Sequence, residues 1–270
     1  MRIEIDHSTV YSWEQSARYG VQELRLTPKP SNGQQILDWS IEMPGIEAAA
    51  KFTDAWGNIV HLANQTEECS ELAIRVRGTV ETADAGGVIG ALDGEPAVRI
   101  FLRQTALTKP DKAIRDLAGR LGHGDDSIAA CHALMQKIAK LMRFDTKSTH
   151  VRTTASEALR DGNGVCQDFA HVFIAASRLL GRPARYVTGY LHVPGGQPVE
   201  EAHHAWAETE IKGLGWVGFD PANGICPDQR YVRLACGPDA DHAAPLRGLR
   251  RGAGHEKLTV AVSVRQSVQQ

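Results

Sequence analysis

The sequence has no apolar run long enough to cross a bilayer, and its opening, MRIEIDHSTVYSW, alternates charged and apolar residues where a secretory signal would carry an unbroken apolar core. A cytoplasmic location without a membrane span is therefore expected. An excess of charge of either sign is also missing: 30 Lys and Arg stand against 32 Asp and Glu. That balance excludes the broad basic footprint of a nucleic-acid-binding protein, and the short cluster of Arg247, Arg250 and Arg251 reads as a solvated loop. There is no Cys-x-x-Cys pair, no internal repeat, no low-complexity tract and no carboxylate-rich loop of the EF-hand kind. Cys226, Cys236 and His242 are too loosely spaced for a zinc knuckle, so neither metal nor cofactor is expected. The 5 cysteines, Cys69, Cys131, Cys166, Cys226 and Cys236, are odd in number and far apart. At 270 residues, 42% hydrophobic and 23% charged, the chain is globular and has no need of disulfide staples. Free thiols are the expectation.

What is present is a change of period along the chain. Ile3 and Ile5, Leu24 and Leu26, then Leu37, Trp39 and Ile41, and finally Leu72, Ile74 and Val76 recur at every second residue, the spacing of strands with one buried face. Trp56-Gly57-Asn58 forms a turn before Ile59-Val60. This predicts an N-terminal antiparallel β-sandwich over residues 1–110. After Pro110 the spacing changes to three and four. Ile128, Cys131, Leu134, Ile138 and Leu141 share one helix face, with Asp125, Asp126 or Ser127 as N-cap. Cys131 and His132 therefore read as structural.

Thr154-Ala155-Ser156-Glu157 spells a capping box for a short helix ending near Gly162. A third helix is predicted from about 165 to 180, with Phe169, Val172, Phe173, Ala176 and Leu180 inward and Gly181 and Pro183 closing it. Strands follow over 185–193 and 202–211, joined by a loop with Pro194, Gly195, Gly196 and Pro198, and then over 216–219. The fold class is α+β, with a second domain over residues 111–270 in which a Cys-bearing helix packs on an antiparallel sheet. A last strand at about 257–265, carrying Leu258, Val260, Val262 and Val264, is free to join either sheet.

The chemistry gathers at Cys166, in Gly162-Asn163-Gly164-Val165-Cys166-Gln167-Asp168-Phe169-Ala170. Glycines before a helix start put this thiol in the first turn, where unpaired backbone N–H groups and the positive end of the macrodipole favour thiolate and are able to hold an oxyanion. The bland reading is a buried core cysteine, so a partner has to decide. His204 lies in Ala202-His203-His204-Ala205-Trp206-Ala207-Glu208, where strand alternation puts His204, Trp206 and Glu208 on one face and His203 on the other. Two adjacent histidines on opposite faces make a poor metal pair. Asp220 ends Trp216-Val217-Gly218-Phe219-Asp220 before Pro221, placed either to fix a histidine's tautomer or to form an Asx turn. Gln167 and Trp206 are further candidates for oxyanion or substrate contact. Asp168 is read first as a partner of the helix dipole.

Four ordered blocks carry a family resemblance: Gly164-Val165-Cys166-Gln167-Asp168-Phe169-Ala170, Pro183-Ala184-Arg185-Tyr186-Val187-Thr188-Gly189-Tyr190, His204-Ala205-Trp206-Ala207-Glu208 and Trp216-Val217-Gly218-Phe219-Asp220-Pro221. Together they resemble the bacterial transglutaminase-like family of the papain-like cysteine protease superfamily, and the opening strands resemble its N-terminal β domain. The resemblance implies that Cys166, His204 and Asp220 take the positions of a catalytic triad. It departs from the family pattern at Ala222, where Thr is usual, and over Asp241-His242-Ala243. The implied activity is acyl transfer through a thioester, from a peptide, isopeptide or glutamine carboxamide bond of a protein or peptide substrate. Water as acceptor gives a cysteine protease, the reading favoured here. An amine acceptor gives a protein-glutamine γ-glutamyltransferase, and a small thioester donor gives an acyltransferase. A non-catalytic scaffold with the same fold is the alternative from another class.

Overall fold

Strands with one buried face build the first third of the chain. The computed structural model describes residues 1–92, 94–119, 128–194, 203–252 and 254–267. Asp125, Asp126, Ser127, Gly195, Gly196, Pro198 and Ala202 lie outside the described residues. The strands are β1 (Arg2–Ala17), β2 (Tyr19–Thr27), β3 (Gln34–Glu42), β4 (Ala50–Thr53), β5 (Ile59–Gln65), β6 (Cys69–Thr82) and β7 (Val88–Gly90). Ile3 and Ile5 of β1 and Leu72, Ile74, Val76 and Val80 of β6 are buried while their neighbours face out, as the period of two requires. In β3 the alternation slips. Ile36 pairs with Val80 and Asp38 with Thr79, so Leu37 is the extra residue of a β-bulge and is 46% exposed, whereas Ile36, Trp39 and Ile41 lean on the core. The Trp39 ring lies over Gly78, where any Cβ would collide with it, and its indole N–H donates to the Leu26 carbonyl at 2.7 Å.

Helices and a second sheet follow: α1 (Lys112–Gly119), α2 (Ile128–Leu141), β8 (Arg143–Phe144), α3 (Ala155–Asp161), β9 (Asn163–Gly164), α4 (Cys166–Leu179), β10 (Ala184–Leu191), β11 (His203–Ile211), β12 (Gly215–Phe219), β13 (Tyr231–Gly237), β14 (Leu246–Arg251) and β15 (Glu256–Gln266). The fold is α+β with mostly antiparallel sheets. The N-terminal sheets are ordered β15-β1-β6-β3 and β14-β2-β5-β4, and the central sheet β13-β10-β11-β12-β7. The tail strand, whose sheet the sequence leaves open, pairs antiparallel with β1 from Ile3↔Gln266 to Trp13↔Glu256. β14, which contains Arg247, Arg250 and Arg251, pairs with β2, so that basic cluster is a strand rather than a loop.

Helix α4 packs on the central sheet and is buried on every side from Asp168 to Arg178, so its predicted apolar face is only part of its contact surface. In α2 the buried set is Ala130, Cys131, Leu134, Met135 and Ile138, and Leu141 at its end is 48% exposed. Helix α3 starts as predicted: Thr154 Oγ1 accepts from the Glu157 N–H, and the Glu157 carboxylate accepts from the Thr154 N–H. Thr154→Ala is expected to lower stability by about 1 kcal/mol in urea titration. An unchanged midpoint would mean the cap contributes nothing.

The two halves share a core. Tyr190, Val232 and Leu234 of the central sheet pack among Ile3, Leu24, Leu72 and Val76 of the N-terminal sheets. Among the described residues no helix is long and apolar enough to cross a membrane.

Candidate active site

Local interactions start α4 at Cys166. Gly162 takes the left-handed conformation, φ 67°, that ends α3, and β9 then pairs in parallel with β8. Val165 is the N-cap but has no side-chain oxygen to offer. Asp168 substitutes for it by reaching back: its Oδ2 accepts from the Val165 N–H at 2.9 Å and from the Thr149 hydroxyl at 2.7 Å. Gly164 must be glycine because a Cβ there would stand 2.7 Å from the Asp168 Cβ. Burial raises the Asp168 carboxyl above its usual range, while the Val165 and Thr149 hydrogen bonds pull the other way. The acid therefore ties the loop through Thr149 to the start of the helix. Cys166 is left half-buried at the first helical position, where backbone N–H groups have no acceptor within the helix.

β11 presents the two adjacent histidines to different surroundings. His203 Nε2 lies 3.3 Å from His7 Nδ1 of β1, and His7 Nδ1 lies 3.0 Å from the Tyr190 hydroxyl. Burial pushes His7 down to about 4 and, with His7 beside it, His203 down to about 3, so both are neutral at neutral pH. His204 turns the other way. Its ring stacks on Trp206 at 6.2 Å and lies 5.8 Å from the Tyr231 ring.

Asp220 follows β12 and closes a tight turn in which its N–H donates to the Ile225 carbonyl at 2.8 Å. Gln136 of α2 anchors that turn by donating to the Gly224 carbonyl at 2.7 Å. Each carboxylate oxygen is saturated. Oδ1 accepts the backbone N–H groups of Ala222 and Asn223 at 3.0 and 3.2 Å. Oδ2 accepts His204 Nε2 at 2.6 Å, Asn223 Nδ2 at 2.7 Å and the Tyr231 hydroxyl at 2.8 Å. One side chain makes both contacts open to Asp220, the backbone hydrogen bonds of an Asx-type turn and a hydrogen bond to His204.

Burial alone would lower His204, but hydrogen bonds to Asp220 and Cys166, and the charges of both, outweigh it and push the imidazole up to about 10. Burial also works against ionising Asp220, yet His204, Asn223 and Tyr231 hold its carboxyl below the usual range. At neutral pH these directions give an imidazolium against a carboxylate. Because Nε2 is spent on Asp220, Nδ1 is the nitrogen left for the Cys166 thiol.

Cys166, His204 and Asp220 are thus brought together, whereas Gln167 and Trp206 are engaged elsewhere. Gln167 donates its side-chain N–H to the Val151 carbonyl at 3.2 Å. Trp206 is buried with Val187, Tyr231 and Cys236, backing the His204 ring, and its Nε1 has no partner among the described residues. Tyr190 of β10 is buried against His7. Among the described residues no group of three or more His, Cys, Asp or Glu is disposed to hold a metal. Sequence reasoning missed Thr149, Asn223 and Tyr231. Asp220-Pro221-Ala222-Asn223-Gly224 carries a turn signature from which Asn223 was within reach. Tyr231 gave no such signal, because only the pairing of β13 with β10 brings it to the site.

Comparisons with known proteins agree with the fold. Residues 115–221 match the model of the transglutaminase-like superfamily core, and residues 3–81 match that of the bacterial transglutaminase-like N-terminal region. An uncharacterized Mycobacterium leprae protein is 28% identical over 97% of this chain and 98% of its own. An uncharacterized Mycobacterium tuberculosis protein is 28% identical over 92% of this chain and 87% of its own. Among solved structures, one from Cytophaga hutchinsonii described as a "putative cysteine protease" superposes with a TM-score of 0.76 at 25% identity, covering 100% of this chain and 92% of that one. The chain belongs to the transglutaminase-like superfamily, with a bacterial transglutaminase-like N-terminal region ahead of the core.

Proposed function

We propose that this protein is a cysteine-nucleophile enzyme that cleaves peptide, isopeptide or carboxamide bonds through a thioester, with water as the acceptor. The observation that carries the reading is His204, whose Nε2 donates to Asp220 at 2.6 Å and which has Cys166 close enough to influence its charge. His204 already carries at neutral pH the proton that the Cys166 thiol gives up, and the Cys166 sulfur attacks the carbonyl carbon. Carbonyl electrons move to oxygen, beside the unpaired N–H groups at the start of α4. When the C–N bond breaks, the imidazolium gives its proton to the departing nitrogen, leaving a thioester on Cys166. A water, deprotonated by the neutral imidazole that this leaves, then releases the acid and returns His204 and Cys166 to their starting state. Asp220 keeps the Nε2 proton in place throughout, which leaves Nδ1 to exchange protons with sulfur and substrate. Water is preferred to an amine because the Cytophaga hutchinsonii neighbour is described as a protease.

Iodoacetamide at neutral pH, with adducts mapped by mass spectrometry, tests the first half of this cycle. Cys166 is expected to react at least tenfold faster than Cys69, and the His204→Ala variant to lose that advantage. Equal rates at the two cysteines, unaltered by His204→Ala, would remove the catalytic reading. Ammonia and amine release from a peptide library, with and without an added primary amine, then separates hydrolysis from transfer. Product that incorporates the added amine in preference to water would overturn the hydrolase reading.

A further inference from the structure

Three donors converge on one oxygen of Asp220, and their directions are fixed by chemistry. Asn223 Nδ2 reaches both Asp220 Oδ2, at 2.7 Å, and the Tyr231 hydroxyl oxygen, at 3.3 Å. An amide nitrogen only donates. The Tyr231 oxygen therefore accepts from Asn223, and its single proton points at Asp220 Oδ2, 2.8 Å away. His204 draws on that same oxygen from 2.6 Å. A carboxylate oxygen that already accepts two hydrogen bonds has less electron density for a third, so the tyrosine competes with the histidine.

The surroundings hold the phenol in this role. Its ring stands edge to face against Trp206, with centroids 5.4 Å apart, and tilted against His204 at 5.8 Å. Tyr231 is buried, and burial together with the Asp220 charge keeps its hydroxyl protonated far above neutral pH. The charged groups that face it are Asp220 and Asp228, and the latter is neutralised by Arg230 at 2.6 Å. Those that face His204 are Asp220 and Cys166.

We propose that Tyr231 is a further positioning residue of the site, which by donating to Asp220 Oδ2 sets how tightly that carboxylate holds the proton of His204. Too strong a hold would keep the imidazolium from giving its proton to the leaving nitrogen. Too weak a hold would leave no imidazolium beside the Cys166 sulfur. The tyrosine tempers the first without incurring the second. This assignment rests on the cysteine-enzyme reading and says which residue tunes its acid.

The test compares alkylation of Cys166 by iodoacetate and by iodoacetamide across pH. The anionic reagent is drawn to an imidazolium beside the sulfur, so its rate relative to the neutral reagent falls as His204 loses its proton. In the wild-type protein that fall is expected towards pH 10. Tyr231→Phe frees Oδ2 for His204 and should move the fall up by roughly half to one pH unit. 3-Fluorotyrosine at position 231, a stronger donor of nearly the same shape, should move it down. A purely structural role predicts otherwise, since loosening the site would lower the fall in both variants. No movement in either variant, or downward movement in both, overturns the assignment. If Tyr231→Phe fails to fold, 4-aminophenylalanine at position 231, a weaker donor of nearly the same shape, takes its place and should move the fall up. Wild-type Cys166 that reacts no faster than Cys69 sinks the functional reading and this assignment with it, whereas a reactive Cys166 with an unmoved fall sinks this assignment alone.

Discussion

Asp220→Asn is expected to lower turnover of an amide substrate by about three to four orders of magnitude while leaving the fold intact. The size follows from what surrounds the carboxylate. Oδ1 receives two backbone N–H groups, from Ala222 and Asn223, and Oδ2 receives Asn223, Tyr231 and His204. An asparagine must put its NH2 group at one of these places. At Oδ1 it would face two backbone donors that have no freedom to turn. At Oδ2 the Tyr231 hydroxyl is able to rotate and the Asn223 amide to flip, so that both accept, and the NH2 group settles there, aimed at His204 Nε2. That nitrogen must then become an acceptor, which sends the imidazole proton to Nδ1 and leaves His204 unable to take the proton from Cys166. At 1.36 kcal/mol per decade the loss is about 4–5 kcal/mol of transition-state stabilisation. Turnover within tenfold of wild type would show that Asp220 orients nothing that chemistry needs.

The same substitution has a pH-dependent effect on stability. His204 is raised in the folded protein to about 10 from its ordinary 6.5, so its protonation stabilises the fold fully below about pH 6.5 and ceases to do so as pH rises through about 10. Asp220 is depressed, so its ionisation stabilises the fold above its ordinary value of 3.8 and ceases to do so as pH falls through the lower folded value. The stability gap between wild type and Asp220→Asn should therefore be widest between about pH 4 and pH 6.5, and narrow as pH rises towards 10 and in strong acid.

How much of this was legible beforehand depends on the range of the interactions. The start of α4 was readable because Gly164, Val165, Cys166 and Asp168 act within a few residues of one another, and the Thr154 capping box for the same reason. The separate facings of His203 and His204 followed from strand alternation, and the structure sends them to His7 and Asp220 respectively. What escaped lies between strands far apart in the sequence. Tyr231 reaches Asp220 only because β13 pairs with β10, and Trp206 reads as a possible substrate contact until Tyr231 and Val187 cover it. Leu37 misled because a single bulge shifts a strand by one residue and moves an apolar side chain to the solvent side. Glu208 shares a face with His204, yet nothing local indicates that two arginines from neighbouring strands close over it.

Glu208→Gln is expected to cost about 3–5 kcal/mol of stability, which for a chain of this size lowers Tm by roughly 10 °C. Glu208 is wholly buried, with Arg185 of β10 at 2.6 Å and Arg233 of β13 at 2.8 Å, so it pins the three central strands from within. Arg185 also reaches Glu95 at 2.6 Å and places its Cζ over the Trp216 ring, 3.9 Å from the centroid. Burial opposes ionisation of Glu208, but Arg233 and Arg185 reverse the balance and hold its carboxyl below the usual range. Glutamine keeps the shape and one acceptor oxygen but removes the charge, leaving two buried guanidinium groups with only Glu95 between them. The cost is thus mainly that of the stranded arginines. This separates two accounts of the network: if uncompensated charge is the cause, the double variant Glu208→Gln, Arg233→Met should recover part of the lost Tm, because an apolar replacement of a buried pair is often neutral. If hydrogen-bond geometry is the cause, the double variant should be worse than the single one. A Tm within 2 °C of wild type for Glu208→Gln would refute both. Since His204 lies four residues earlier on β11, the single variant should also slow Cys166 alkylation at temperatures where it remains folded, by tilting the strand that carries the base.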